Sequence, residues 1–162
     1  MKPWTKRPRE VRNLFNPAFC GVILLRGIKA YEEERGPGMP FSLTLLLLPL
    51  CLQKDSREIV RAGTRSYFLK ILEDNPQIVV GMANRTKSLL PYTFEALGFL
   101  MHLGSITVTT DGKIATTPKC IRTTFSGSDE SRDCQTAARI LGKKFATVGD
   151  RVTIYTSFGI RP

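Results

Sequence analysis

Residues 75–118, NPQIVVGMANRTKSLLPYTFEALGFLMHLGSITVTTDGKIATTP, decide the fold that the sequence predicts. Asn75 and Pro76 are expected to open a first helix, because asparagine caps free N–H groups and proline has no donor to lose at the first helical position. Leu90 is expected to end that helix, since the residue before a proline avoids the helical region. Pro91 then begins a second helix, whose apolar side is predicted to carry Phe94, Leu97, Gly98 and Met101 and to be widened by Leu100 and Leu103.

A β-hairpin is predicted directly after the second helix. Residues 106–109 alternate between apolar and polar side chains, and the Asp-Gly pair that follows is a strong turn signal. A three-residue loop pairs Val108 with Ile114 on one face, and this register is preferred because a slip of one residue exposes a whole apolar set. Two helices followed by a hairpin are typical of a winged helix, so residues 75–118 are predicted to be a winged-helix-like segment.

The rest of the chain is predicted to be mostly helical. A buried helix begins at Asn16-Pro17, and a leucine-rich helix begins at Pro40, with a kink or break expected at Pro49. An amphipathic helix is expected to start at Ser131. Residues 14–162 therefore form a single, mainly α domain with a small β-hairpin (α+β), and residues 1–13 form a basic N-terminal arm.

The composition fits one globular domain with an anionic partner or a well-solvated surface. The 162 residues are 42% hydrophobic, and the formal net charge is +10. The predicted second helix has no lysine or arginine, so we expect non-specific phosphate contact and no reading of base sequence. Candidate nucleic-acid-binding residues are Lys6 and Arg7 in the arm, Lys113 at the hairpin tip, and Arg132, Arg139 and Lys143 on the amphipathic helix.

Residues that carry catalytic or metal chemistry are scarce in the sequence. The four cysteines form no C-x-x-C pair, and three lie in apolar helical runs, which predicts buried free thiols in a reducing cytoplasm. His102 is the only histidine, and no phosphate-binding loop of the G-x-x-x-x-G-K-[ST] type occurs. The longest apolar run, residues 43–52, is too short to span a bilayer. We therefore expect no catalytic residue, cofactor or metal, and no membrane association.

Four short motifs resemble a known family. They are LFNPAF at 14–19, LPLCL at 48–52, PYTFEAL at 91–97 and FGIRP at 158–162. Their order and spacing are similar to those of the middle component of bacterial three-component ABC systems, over residues 14–162. Residues 126–133 depart from the family pattern, and we assign them no role.

The resemblance implies a non-enzymatic adaptor. Family members are encoded between an SMC- or Rad50-like ABC ATPase and a variable, nuclease-type effector, in Lamassu-like systems that defend against phage and plasmids. No catalytic residues are established for the family. Trp4 in the arm, Asn16 in the first motif and Phe158 in the last motif are the candidate partner-binding residues, although a tryptophan in such an arm more often folds back onto the domain.

Two other functions remain open at this point. A stand-alone winged-helix DNA-binding repressor would use the same segment to bind its own promoter, and a small enzyme of unrecognised type would most plausibly use His102. The identity of the partners, their stoichiometry and direct contact with DNA do not follow from the sequence.

Overall fold

The computed structural model describes residues 6–118 and 120–161 of the chain. It is mainly helical with a small antiparallel sheet, which confirms the predicted α+β class. The helices are α1 (Arg9–Leu14), α2 (Pro17–Arg35), α3 (Phe41–Leu52), α4 (Lys54–Ala62), α5 (Phe68–Asp74), α6 (Met82–His102), α7 (Asp129–Val148) and α8 (Arg151–Ser157). The strands are β1 (Met39–Pro40), β2 (Ile106–Val108) and β3 (Lys113–Thr116), and a 3₁₀ helix spans Pro76–Ile78.

Helices α2, α3, α6 and α7 pack around one apolar core. As predicted, α2 begins at Asn16-Pro17: the Asn16 side chain accepts a hydrogen bond of 2.8 Å from the Ala18 N–H. The leucines of α3 fill the centre, and most of them are fully buried. Pro49 does not break α3, which continues to Leu52, so the predicted break is wrong.

Two glycines allow core helices to pack closely against each other. A Cβ atom added to Gly142 of α7 would overlap the carbonyl oxygen of Gly27 in α2. A Cβ added to Gly27 would lie 2.5 Å from a methyl carbon of Leu47 in α3. Because neither glycine has a side chain, α7 lies directly against the backbone of α2, and α3 packs on the other side of that contact.

The expected helix pair within residues 75–118 is one helix. Pro91 lies inside α6, so the predicted break at Leu90-Pro91 is wrong. The predicted first helix is a 3₁₀ turn followed by the first half of α6, which begins at Met82. The cost of Pro91 is limited because both it and Lys87, whose carbonyl would have accepted the missing N–H, lie on the exposed side of the helix, where water can bind. Apolar residues on both sides of Pro91 pack into the same core, which holds the two halves in line.

The hairpin forms as predicted, but its sheet has a third strand. Val108 pairs with Ile114, and the Thr109 N–H donates to the Lys113 carbonyl at 2.9 Å across the predicted three-residue loop. Strand β1 pairs with β3 on the other side, giving the order β1-β3-β2. The Glu32 carboxylate at the end of α2 accepts hydrogen bonds of 3.0 Å from the backbone N–H groups of Gly38 and Thr116, and so fastens the sheet to the helices.

Replacing Gly142 should destabilise the domain, whereas replacing an exposed helical glycine should not. We expect Gly142→Ala to lower the free energy of unfolding by about 1–3 kcal/mol, because the added methyl group forces α2 and α7 apart. Gly98→Ala in α6 is the matched control: a Cβ there meets no atom within 4 Å, and alanine should stabilise the helix by about 0.5–1 kcal/mol. Urea denaturation measures both, and equal effects of the two variants would contradict the assigned role of the glycine contact.

Candidate interaction surfaces

The second half of α6 presents an uncharged face to solvent. Pro91, Phe94, Gly98 and Met101 follow one another at steps of three and four residues and all are exposed. We call these four residues the α6 stripe. It is about 15 Å long. Phe94 and Met101 expose 49% and 42% of their surface, so the prediction that they line the buried side is wrong.

The buried side of α6 is rotated away from the predicted one. The residues that enter the core from this half of the helix are Thr93, Ala96, Leu97 and Leu100. Thr93 satisfies its hydroxyl within the helix, by donating a hydrogen bond of 3.0 Å to the Leu89 carbonyl. A threonine can therefore be buried here at little cost in free energy. Thr93 lies on the buried face of α6, where the sequence predicted Phe94.

A second aromatic residue extends the α6 stripe. Phe41, the first residue of α3, stacks on Phe94 with ring centroids 6.2 Å apart and ring planes inclined by 11°. Phe41 is itself 41% exposed, and Leu103 is exposed just beyond the end of α6. Single exposed apolar residues are common on protein surfaces, but neighbouring aromatic residues on an uncharged face are typical of a protein-binding surface.

The predicted basic arm is partly fixed to the domain. Helix α1 forms within it, and Arg7 is buried against α6. Both terminal nitrogens of Arg7 donate to the Glu95 carboxylate, at 2.7 and 2.9 Å, and this pairing raises the pKa of Arg7. Arg7 therefore anchors the segment before α1, and its predicted contact with a nucleic acid stays a prediction. Lys6 is exposed, whereas Trp4 lies outside the described residues.

Three predicted nucleic-acid-binding residues form ion pairs on the surface. Lys113 lies 2.7 Å from Asp111 in the hairpin, Lys143 lies 2.9 Å from Glu34 of α2, and Arg132 pairs with Asp129 in the first turn of α7. Such exposed pairs are weak and exchange readily for another anion.

Arg139 joins a pocket between α2 and α7 that is rich in positive charge. The pocket has a volume of about 240 Å³. It brings together residues that are far apart in the sequence, namely Arg26, Lys29, Ala30 and Glu33 of α2, Thr123 and Phe125 of the loop between β3 and α7, and Arg139 and Lys143 of α7. We call it the α2–α7 pocket. Among the described residues, neither Arg26 nor Lys29 nor Arg139 forms an ion pair.

Arg26 builds the wall of this pocket. Its guanidinium donates to the carbonyl oxygens of Arg122 at 2.6 Å and Thr124 at 2.7 Å, and to the Gln135 side-chain oxygen at 3.3 Å. The Phe125 ring lies beneath it, 4.2 Å from the guanidinium carbon. Burial, followed by the nearby charge of Arg139, lowers the pKa of Arg26. The sequence interpretation missed Arg26, although a lone cation inside the apolar run of α2 was the available signal.

A second cleft lies between α1, α3 and α7, and its central charge is neutralised. The cleft has a volume of about 380 Å³. Arg57 projects into it, donates to the Cys51 carbonyl at 3.0 Å, and pairs with Glu130 at 3.0 Å. The Cys134 thiol donates to the same Cys51 carbonyl at 3.4 Å. These contacts join α3, α4 and α7, and they give the cleft a structural role.

Two of the candidate partner-binding residues take part in the fold itself. Asn16 caps α2, as described above. Phe158 is 3% exposed and packs edge-on against Phe68, with ring centroids 5.9 Å apart. Contact with a partner through either residue stays a prediction, as it does for Trp4.

The residues considered for catalysis are dispersed. Cys20, Cys51 and Cys134 are buried, and burial raises the pKa of all three thiols, that of Cys20 to about 12. His102 is exposed at the end of α6. Within residues 6–118 and 120–161, no group of three His, Cys, Asp or Glu side chains could hold a metal ion. A search of the same residues found no helix with the length and apolar character needed to cross a bilayer.

Comparison with known protein families gives one match, to ABC-three component (ABC-3C) system Middle Component 3, over residues 4–162. The chain belongs to the MC3 family. It is therefore a component of a multi-part ABC ATPase system, and the other components of that system are its partners, as the resemblance implied. No curated protein and no solved structure matches the chain.

Alkylation should distinguish the buried thiols of this MC3 protein from the partly exposed one. With iodoacetamide near pH 8, Cys120 should react first, because it alone of the four cysteines is not buried. The other three should react only on unfolding, since their raised pKa values leave little thiolate, which is the reactive form. Mass spectrometry of labelled peptides measures the order, and rapid labelling of Cys134 in the native protein would contradict it.

Proposed function

We propose that this MC3 protein is a non-enzymatic cytoplasmic adaptor, which joins an SMC- or Rad50-like ABC ATPase to a nuclease-type effector in defence against phage and plasmids. Membership of a three-component system supports an adaptor role, because the components of such a system have to be held together. The burial of three of the four cysteines supports a role in binding rather than in chemistry. The ATPase then performs the energy-consuming step, and this protein holds the complex together.

The observation that carries the proposal is the exposed aromatic surface of α6. Phe94, stacked on Phe41, and Met101 on the same helical face offer two aromatic rings and one thioether to solvent without a neighbouring charge on that face. Aromatic residues and methionine are enriched at protein interfaces, where they contribute large apolar contacts. Gly98 lies between them and leaves room for the backbone of another helix to approach closely. An apolar helix of the ATPase component fits this surface.

The alternative, a stand-alone winged-helix repressor, has less support. Its recognition helix would be the second half of α6, where the exposed residues before His102 are apolar and Glu95 is held by Arg7. A helix that reads the major groove needs polar or positively charged side chains that reach base edges. The exposed face of α6 has a chemistry suited to a protein surface instead.

Placing a charge on the α6 stripe should separate the protein from its partner. We expect Phe94→Asp to lower recovery of the co-expressed ABC ATPase component in affinity purification by at least tenfold, because a carboxylate buried in an apolar interface has no partner there. Quantitative mass spectrometry of the eluate measures the loss.

The matched control is Ala83→Asp, which adds the same charge to an exposed position about three turns earlier on α6. This variant should retain the ATPase at the wild-type level, and both variants should keep the wild-type thermal midpoint, since both positions are exposed. Undiminished recovery with Phe94→Asp, or equal losses with the two variants, would overturn the assignment of the docking surface.

A further inference from the structure

We propose that the α2–α7 pocket binds the phosphate backbone of a nucleic acid, independently of base sequence. This site lies on different helices from the α6 stripe and does not depend on the adaptor role. It adds a nucleic acid to the partners of the protein, and it assigns the contact to Arg26, Lys29 and Arg139 together.

The first support is a buried positive charge that the fold leaves without a counter-charge. Arg26 is 7% exposed, and its partners are three backbone carbonyls, one amide oxygen and one aromatic ring, all of them neutral. In the described part of the chain no carboxylate pairs with it. Burying a charge without an opposite charge is costly, so an anion that enters the pocket would be stabilised there.

The second support is the excess of cations around the pocket. Four of the residues that line the pocket are positively charged, and one further lining residue, Glu33, is negatively charged. Lys29 and Arg139 are at least partly exposed and have no ion-pair partner among the described residues. Lys143 is held by Glu34 only through a surface pair, which an incoming phosphate can replace. The pocket therefore keeps a net positive charge.

The shape of the site favours a polymer over a small anion. Arg139 and Lys143 are exposed at the pocket, where a backbone phosphate can reach them, and the positive charge continues along α7. Arg132, Arg139 and Lys143 are spaced by about 10 and 6 Å along the helix axis. A nucleic acid carries one charge per nucleotide, so successive phosphates can meet successive cations.

Arg139 is suited to hold one of these phosphates. Its guanidinium carbon lies 5.5 Å from the centre of the Phe125 ring, which restricts the orientation of the side chain. The planar guanidinium can then donate two parallel hydrogen bonds to a phosphate group.

The experiment measures binding of the full-length protein to a fluorescein-labelled DNA duplex of random sequence by fluorescence anisotropy. The salt concentration is varied over roughly 50–200 mM, because each phosphate contact contributes about 0.9 to the slope of log affinity against log salt. The double variant Lys29→Ala/Arg139→Ala should bind more weakly at every salt concentration, and its slope should be shallower by about 2.

The matched control is Lys87→Ala/Arg151→Ala, which removes the same charge from exposed positions outside the pocket. It should keep a slope close to that of the wild type. Equal losses in the two double variants would show attraction by net charge alone and overturn the proposal. So would tighter binding of a polyglutamate peptide than of DNA, with sensitivity to Lys29 and Arg139, since the pocket would then serve an acidic protein partner.

Each of the two proposals can be refuted without affecting the other. Phe94→Asp should bind DNA like the wild type, and Lys29→Ala/Arg139→Ala should recover the ATPase component like the wild type. If the pocket variant instead lost the ATPase and kept DNA, the pocket would be a protein-binding surface and the nucleic-acid assignment would be wrong.

Discussion

The close approach of α2 and α7 at Gly27 and Gly142 is the contact on which the rest of the structure depends. The missing side chains let two helices from opposite ends of the chain lie backbone against backbone, and α3 then fits over them through Leu47. Helix packing of this kind requires small residues because the interaxial distance is set by the side chains at the crossing point. The contact that completes the apolar core is therefore made by two residues that have no side chain.

The same contact creates the positively charged surface. Once α7 lies on α2, the cations of one helix are brought next to those of the other, although they are over a hundred residues apart in the sequence. Arg26 meets Arg139 across Phe125 in this way. Elsewhere, Lys144 of α7 is likewise buried, and it donates to the carbonyls of Ser66 at 2.6 Å and Thr64 at 3.2 Å. For Arg26 and Lys144, the fold thus satisfies the hydrogen bonds of a buried cation mainly with carbonyl oxygens and leaves its charge unpaired among the described residues.

The two proposed binding sites lie on different helices, the protein-docking surface on α6 and the positively charged pocket on α2 and α7. The buried face of α6 belongs to the core, whereas its exposed face carries the aromatic residues that we assign to the partner. Because Glu95 is occupied by Arg7, the one carboxylate close to that face is also neutralised. An uncharged docking surface on one side of the domain and a positively charged pocket on α2 and α7 would allow one small protein to hold a protein partner and a nucleic acid at once.

The local pattern of the sequence determined the elements whose signals are themselves local. Asn16-Pro17 begins α2 because a cap and a first-turn proline act within a few residues, and the hairpin register follows from alternation around an Asp-Gly turn. The four motifs likewise sufficed to indicate the MC3 family. The helix breaks expected at Pro49 and Pro91 do not occur. At both positions the free-energy cost of a proline inside the helix is smaller than the free energy gained by burying apolar residues on both sides of it.

Only the tertiary structure decided which residues share a surface. The exposure of Phe94, the capture of Arg7 by Glu95, and the meeting of Arg26 with Arg139 each depend on which helix lies opposite. Periodicity identifies the apolar residues of a helix, but the face that is buried is selected by the neighbours that cover it. Those neighbours are brought into place by long-range packing, and no short stretch of sequence encodes it.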